Sequence, residues 1–78
     1  IVEFSSILRL AHVMEDYFQA VKNRTVIVNA ETIDELFKCV DLFTRLSQVP
    51  HDFIETWLAN TMDEIDERVN SIASLAAD

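Results

Sequence analysis

A chain with no glycine and a single proline in 78 residues has few ways to reverse direction tightly. Two-residue hairpin turns need positive φ, which glycine adopts at no steric cost. Its absence argues against an all-β or α/β fold. It also removes every Gly-rich phosphate cradle, the P-loop and the dinucleotide fingerprint alike. Helix is what remains, and the apolar residues, 50% of the chain, recur at helical steps.

Three segments carry that period, and they predict an all-α, antiparallel bundle with helices over about 6–23, 30–47 and 50–76. In the first, Phe4, Ile7, Leu8, Ala11, Met14, Phe18 and Val21 form one stripe, which Leu10, Val13 and Tyr17 widen. Ser5 or Ser6 is placed to cap its start. The β-branched run Thr25-Val26-Ile27-Val28 has no second strand to pair with. It reads as an extended connector, with Val26 and Val28 tucked against the helices and Asn29 capping the next one. The second helix has two stripes, Ile33, Leu36, Phe37, Val40 and Phe43 beside Cys39, Leu42 and Leu46. A helix apolar over so wide an arc packs against more than one neighbour. Pro50 breaks the chain and suits the first position of the third helix. That helix has one clean stripe, Ile54, Leu58, Met62, Ile65, Val69, Ile72 and Leu75, with Phe53 and Trp57 broadening its start as further core.

Three acid-first pairs at i,i+4 support the helices: Asp34 with Lys38, Asp41 with Arg45, and Glu64 with Arg68. The segment reads as a single partial domain. It opens on Ile1 rather than Met and is expected to be a fragment, with a fourth helix missing or supplied by another chain. Self-association into a homo-oligomer is expected for the same reason.

Charge narrows the function classes. Six basic residues stand against 14 acidic ones, a net charge of −8. Nucleic-acid binders need clustered Lys and Arg to displace counterions, and anionic membranes attract the same residues. Neither partner is expected. The single Cys39 forms no internal disulfide and fits a reducing, cytoplasmic setting.

Few side chains here can do chemistry. Cys39 sits among Phe37, Val40 and Leu42 and reads as a small apolar residue rather than a nucleophile. His12 with Glu15 and Asp16, and His51 with Asp52 and Glu55, are loose groups short of the three or four convergent ligands a metal needs, so no metal or cofactor is expected. The acidic stretch Asp63-Glu64-Ile65-Asp66-Glu67 reads as a solvated helix face with Ile65 turned inward. His12 by itself reads as a structural histidine that Glu15, one turn on, can orient.

The series Leu10-Ala11-His12-Val13-Met14-Glu15-Asp16-Tyr17-Phe18, then Val21-Lys22-Asn23-Arg24, then Val28-Asn29-Ala30-Glu31-Thr32-Ile33-Asp34-Glu35-Leu36-Phe37, resembles the histidine phosphotransfer (HPt) domain of CheA-type chemotaxis kinases. In that family a helix reading L-A-H-x-x-E-D-L-L is followed by a short basic turn, a connector ending in L-T or L-N, and a helix opening x-x-I-D-x-L-L. The likeness runs from about Phe4 to Phe43, roughly half the chain. It implies an HPt-like helical bundle. It also implies that the segment begins just after the phospho-accepting helix, because the family's H-x-x-K-G is absent.

By that resemblance His12 matches the family's second histidine, packed beside the acceptor, and Glu15 the carboxylate that orients it. A carboxylate one turn away fixes an imidazole's tautomer. That imidazole then hydrogen-bonds the reacting one and tunes its nucleophilicity. No residue of this chain is expected to be catalytic or phosphorylated. The implied partners are the kinase's ATP-binding domain, which donates phosphoryl, and a response regulator, which receives it. The rival expectation is a degenerate, acidic HPt-like module for docking or dimerisation with no phosphotransfer.

Overall fold

The computed structural model describes residues 2–76, with side chains from Phe4 onward. They form α1 (Val2–Lys22), α2 (Ala30–Ser47) and α3 (Ile54–Ala76), with one 3₁₀ turn at His51–Phe53 leading into α3. The described residues contain no strand. The fold is the all-α, three-helix bundle expected from the sequence, elongated along its helices at 41 × 21 × 18 Å.

Each helix end has a local cause. α1 starts at Val2, so Ser5 and Ser6 lie inside it and cap nothing, and Ser6 is buried. Nothing between residues 2 and 5 breaks a helix, and the helix runs through them. At its other end the Thr25 N–H donates to the Ala20 carbonyl (2.9 Å) and the Arg24 N–H to the Val21 carbonyl (3.0 Å). These two bonds make a Schellman motif, whose pivot must be left-handed. Arg24 is that pivot, at φ 61°, in the place glycine usually takes.

α2 opens on a capping box. Asn29 Oδ1 accepts from the Thr32 N–H (3.0 Å) while Thr32 Oγ1 accepts from the Asn29 N–H (2.8 Å). The threonine does what a Glu or Gln does in the commoner version. After Ser47 the N–H groups of Gln48 and Val49 reach back to the carbonyls of Arg45 and Leu46, and extended Pro50 ends the run. Residues 51–53 then coil as 3₁₀, which moves the start of the third α-helix to Ile54.

α3 is the middle of the molecule. It packs on both α1 and α2, while among the described residues those two nowhere bring their Cα atoms within 8 Å of each other. The expected α3 stripe supplies the core except at Met62, which is half-buried outside it: Leu58, Ile65 and Ile72 are fully buried, Val69 nearly so, and Ile54 and Leu75 pack at its ends. Leu10 and Tyr17 of α1 and Cys39 and Leu42 of α2 complete it. Phe53, expected in the core, is exposed, and Trp57 is half-buried. Phe53 lies in the 3₁₀ turn ahead of α3 and lines an open depression with Trp57, Pro50 and Arg45 of α2. In the connector Val26 packs on the core as expected, but Val28 faces out.

Charged clips set the orientation. Glu35 of α2 meets Arg68 of α3, and Arg45 of α2 meets Glu64 of α3. As numbers rise along α2 they fall along α3, so the two run antiparallel. Arg9 joins α1 to α3 through Asp66 at 2.6 Å. A depression lined by Thr25, Val26 and Asn29 on one side and Ser74 and Leu75 on the other puts the α1–α2 connector at the C-terminal end of α3. α1 therefore runs parallel to α3, in an up-down-up order.

These clips redistribute the pairs expected within single helices. Asp41 does hold Arg45 (3.1 Å), but Lys38 pairs with Glu35 and Arg68 with Glu35 and Glu67. Two acids of the 63–67 stretch thus reach across helix boundaries rather than simply facing water, because arginine is long enough to span them.

Candidate functional site

The part of the surface with most to explain is the apolar area on α1 and α2. Of the expected α1 stripe, Ile7, Met14 and Val21 pack on the core, while Phe4, Leu8, Ala11 and Phe18 face solvent, with Leu8 57% and Phe18 50% exposed. The seam that meets α3 is Ser6, Leu10 and Tyr17, turned from that stripe by roughly 130° at 3.6 residues per turn. α2 repeats the pattern. Cys39 and Leu42 face α3, while Ile33, Phe37 (66% exposed) and Val40 (53%) do not.

The uncovered α1 stripe borders a groove. A depression of about 410 Å³ is lined by Ala11, Met14, Phe18 and Gln19 of α1 and by Phe43 of α2. Phe43 lies between the covered and uncovered arcs of α2, and Met14 between those of α1. The α1 stripe therefore borders this depression, while Phe37 of α2 lines a separate one with Glu64 and Arg68 of α3. The expectation that these helices are built for more neighbours than they have here rests on these residues.

Of the two residues expected at a site, Glu15 lines this depression and His12 does not. Glu15 lines the depression within the α1 stripe, and His12 stands one position outside it beside Leu8. Both are exposed, and no hydrogen bond or ion pair joins them to each other or to another side chain among the described residues. An exposed imidazole next to an apolar groove can meet a group carried by whatever fills the groove. A carboxylate one turn away can then orient it. His51 lies in the 3₁₀ turn, exposed and remote from this groove.

Cys39 is fully buried. Burial pushes its thiol above the ordinary range, nearby Glu35 adds to the rise, and Arg68 opposes it. The thiol is therefore held protonated and is a poor nucleophile at neutral pH. Glu35 itself is gripped by Arg68 and Lys38, a network that sequence spacing within one helix does not reveal.

No group of three or more His, Cys, Asp or Glu side chains converges as a metal site among the described residues. No described helix is long and apolar enough to cross a membrane. Comparison with known protein families, with curated proteins and with solved structures finds no match for this chain.

Proposed function

We propose that this chain supplies three helices of a histidine phosphotransfer bundle, in a CheA-like signalling kinase, whose acceptor imidazole arrives on a helix seated in the α1–α2 groove. The observation that supports the reading is the uncovered depression lined by Glu15, with His12 exposed one turn before Glu15 on α1. Phosphoryl transfer to and from histidine is mostly positioning and charge stabilisation. A neighbouring imidazole, itself oriented by a carboxylate, contributes by holding the acceptor ring in one tautomer. In this reading His12 and Glu15 are positioning residues and accept no phosphoryl group. The kinase's ATP-binding domain and a response regulator are the partners on either side of the transfer, and the setting is cytoplasmic.

The test uses a synthetic helical hairpin whose second helix carries H-x-x-K-G, phosphorylated on its histidine with phosphoramidate. Adding the chain is expected to change the phosphohistidine lifetime followed by ³¹P NMR. His12→Ala and Glu15→Ala are expected to lose the effect while the hairpin still binds. An unchanged lifetime overturns the reading, and so does stable label on His12 after incubation of the chain with a CheA-type kinase domain and ATP.

A second reading, an acidic helical module for docking or dimerisation without phosphotransfer, is favoured by one observation. Among the described residues no hydrogen bond or ion pair joins His12 and Glu15 to each other or to another side chain, so the apolar depression is the more developed feature.

A further inference from the structure

α1 carries two seams at coiled-coil spacing, and they differ by a single residue position. Ser6, Leu10, Val13, Tyr17 and Ala20 repeat at four- and three-residue steps. This seam faces α3, with Ser6, Leu10 and Tyr17 buried and Val13 and Ala20 half-buried. Phe4, Ile7, Ala11, Met14, Phe18 and Val21 repeat at the same steps, and every one of them is apolar. From Ile7 onward each residue of the second seam directly follows one of the first, so rolling the helix by roughly 100° exchanges them. Ile7, Met14 and Val21 already pack half-buried against the core, while Phe4, Ala11 and Phe18 face out. The seam in use is thus the more polar one. It buries Ser6, and it buries the Tyr17 hydroxyl with no hydrogen-bond partner among the described residues. An unsatisfied buried group weakens the packing that holds it there.

Little else fixes α1 in this register. Its one ion pair to another helix among the described residues is Arg9 with Asp66, between two exposed side chains. An exposed pair of this kind holds weakly. α1 and α2 bring no Cα atoms within 8 Å of each other among the described residues, so α2 does not lock the helix either. We propose that α1 is a two-register element, which exchanges between the seam described here and the all-apolar seam by rolling about its own axis on α3. The roll carries the Tyr17 hydroxyl out to water, moves Arg9 off Asp66, and brings Phe4, Ala11 and Phe18 onto α3. Facing α2, it withdraws Ala11 and Phe18 from the depression they line and turns Leu8 and His12 toward it. A contact that holds Phe18 in the depression therefore selects the observed register, and one that needs His12 there selects the other. The seam exchange does not depend on the phosphotransfer reading.

Tyr17 is the sole tyrosine of the chain, so 3-fluorotyrosine labels this one position. ¹⁹F NMR at neutral pH is expected to show two exchanging environments: a major buried one, and a minor one whose shift changes between H₂O and D₂O. Phe18→Ser weakens only the second seam. It is expected to cut the water-exposed fraction by at least about tenfold, the scale set by burying a large aromatic side chain. Arg9→Gln releases the clip of the first register and is expected to raise that fraction roughly twofold. Circular dichroism with urea titration checks that the helices persist in each variant. A single buried environment, in the chain and in Arg9→Gln alike, overturns the proposal. So does an exposed signal that Phe18→Ser leaves unchanged, or one that grows in step with loss of helix, since both mark α1 coming away from α3 rather than rolling on it.

Discussion

α3 and its two flanking helices spend the same kind of residue differently. α3 has one apolar stripe and covers it: Leu58, Ile65 and Ile72 show no accessible surface. α1 and α2 each have two stripes and cover one, leaving Leu8, Phe18, Phe37 and Val40 to solvent. A helix with one stripe between two neighbours is finished. A helix with two stripes and one neighbour is not. The contrast places the buried core on α3 and uncovered apolar surface on α1 and α2.

The sharpest way to break this contrast is to truncate one residue of each kind. Ile65→Ala removes a fully buried side chain at the centre of α3, where α1 and α2 both pack. The expected loss is ~2–5 kcal/mol, from lost transfer energy plus the cavity left behind. In a chain of this size that is enough to unfold much of the population at ambient temperature. Urea titration followed by circular dichroism measures it. A loss below about 1 kcal/mol would mean α3 is not the central element described here.

The Glu35–Arg68 clip comes next. Both side chains are mostly buried, at 15% and 10% exposure. Arg68→Ala leaves Glu35 with Lys38 alone and is expected to cost about 1–3 kcal/mol, the range for stranding a buried polar group. Replacing both partners by apolar residues of similar size, Glu35→Leu with Arg68→Met, is expected to recover most of that loss, since a buried pair often competes poorly with good packing. If the double variant is as unstable as Arg68→Ala, the clip contributes more than its burial implies.

How much of this was readable beforehand follows the same divide. The bounds of α2 were legible because Asn29 and Pro50 mark them chemically. The α3 core was legible because a single stripe leaves one way to pack. Burial of Cys39 was legible because a free cysteine among apolar neighbours is most often a buried one. On α1 and α2 the periodicity marks two apolar arcs but not which of them meets α3. That choice depends on the positions of other helices, and residue spacing within one helix does not record them. The ion-pair partners of Lys38, Glu64 and Arg68 were misassigned for a related reason. Spacing reveals neighbours along a helix, whereas Glu64 and Arg68 found partners on α2 and Lys38 took Glu35 at i,i+3 instead of Asp34 at i,i+4. For the candidate site, spacing placed His12 and Glu15 one turn apart on α1. It gave no sign that Glu15 alone of the two would line an open depression.

Two smaller changes are expected to stabilise, and both act on the covered side of α1. The Tyr17 hydroxyl is buried without a hydrogen-bond partner among the described residues. Tyr17→Phe keeps the ring and removes the unsatisfied group, for an expected gain of ~1 kcal/mol by urea titration. Arg24→Gly relieves the left-handed backbone at φ 61°, where a Cβ costs ~1–2 kcal/mol. The greater freedom of glycine in the unfolded chain offsets part of this, leaving a gain of up to about 1 kcal/mol. A loss on Arg24→Gly would show that its side chain has a role the backbone geometry does not require.

The smallest expected stability effect is the most informative about the uncovered side. Phe18→Ser and Val40→Ser replace exposed apolar residues that make little contact with the core. Each is expected to change unfolding free energy by under about 0.5 kcal/mol, the usual range for surface sites. Yet each removes exposed apolar area from the surface. Binding of a hydrophobic dye such as ANS is therefore expected to fall in both variants. If either substitution instead destabilises the fold by 2 kcal/mol or more, the range for buried apolar sites, the stripe is core to this chain by itself. The groove then has no claim to be a binding surface.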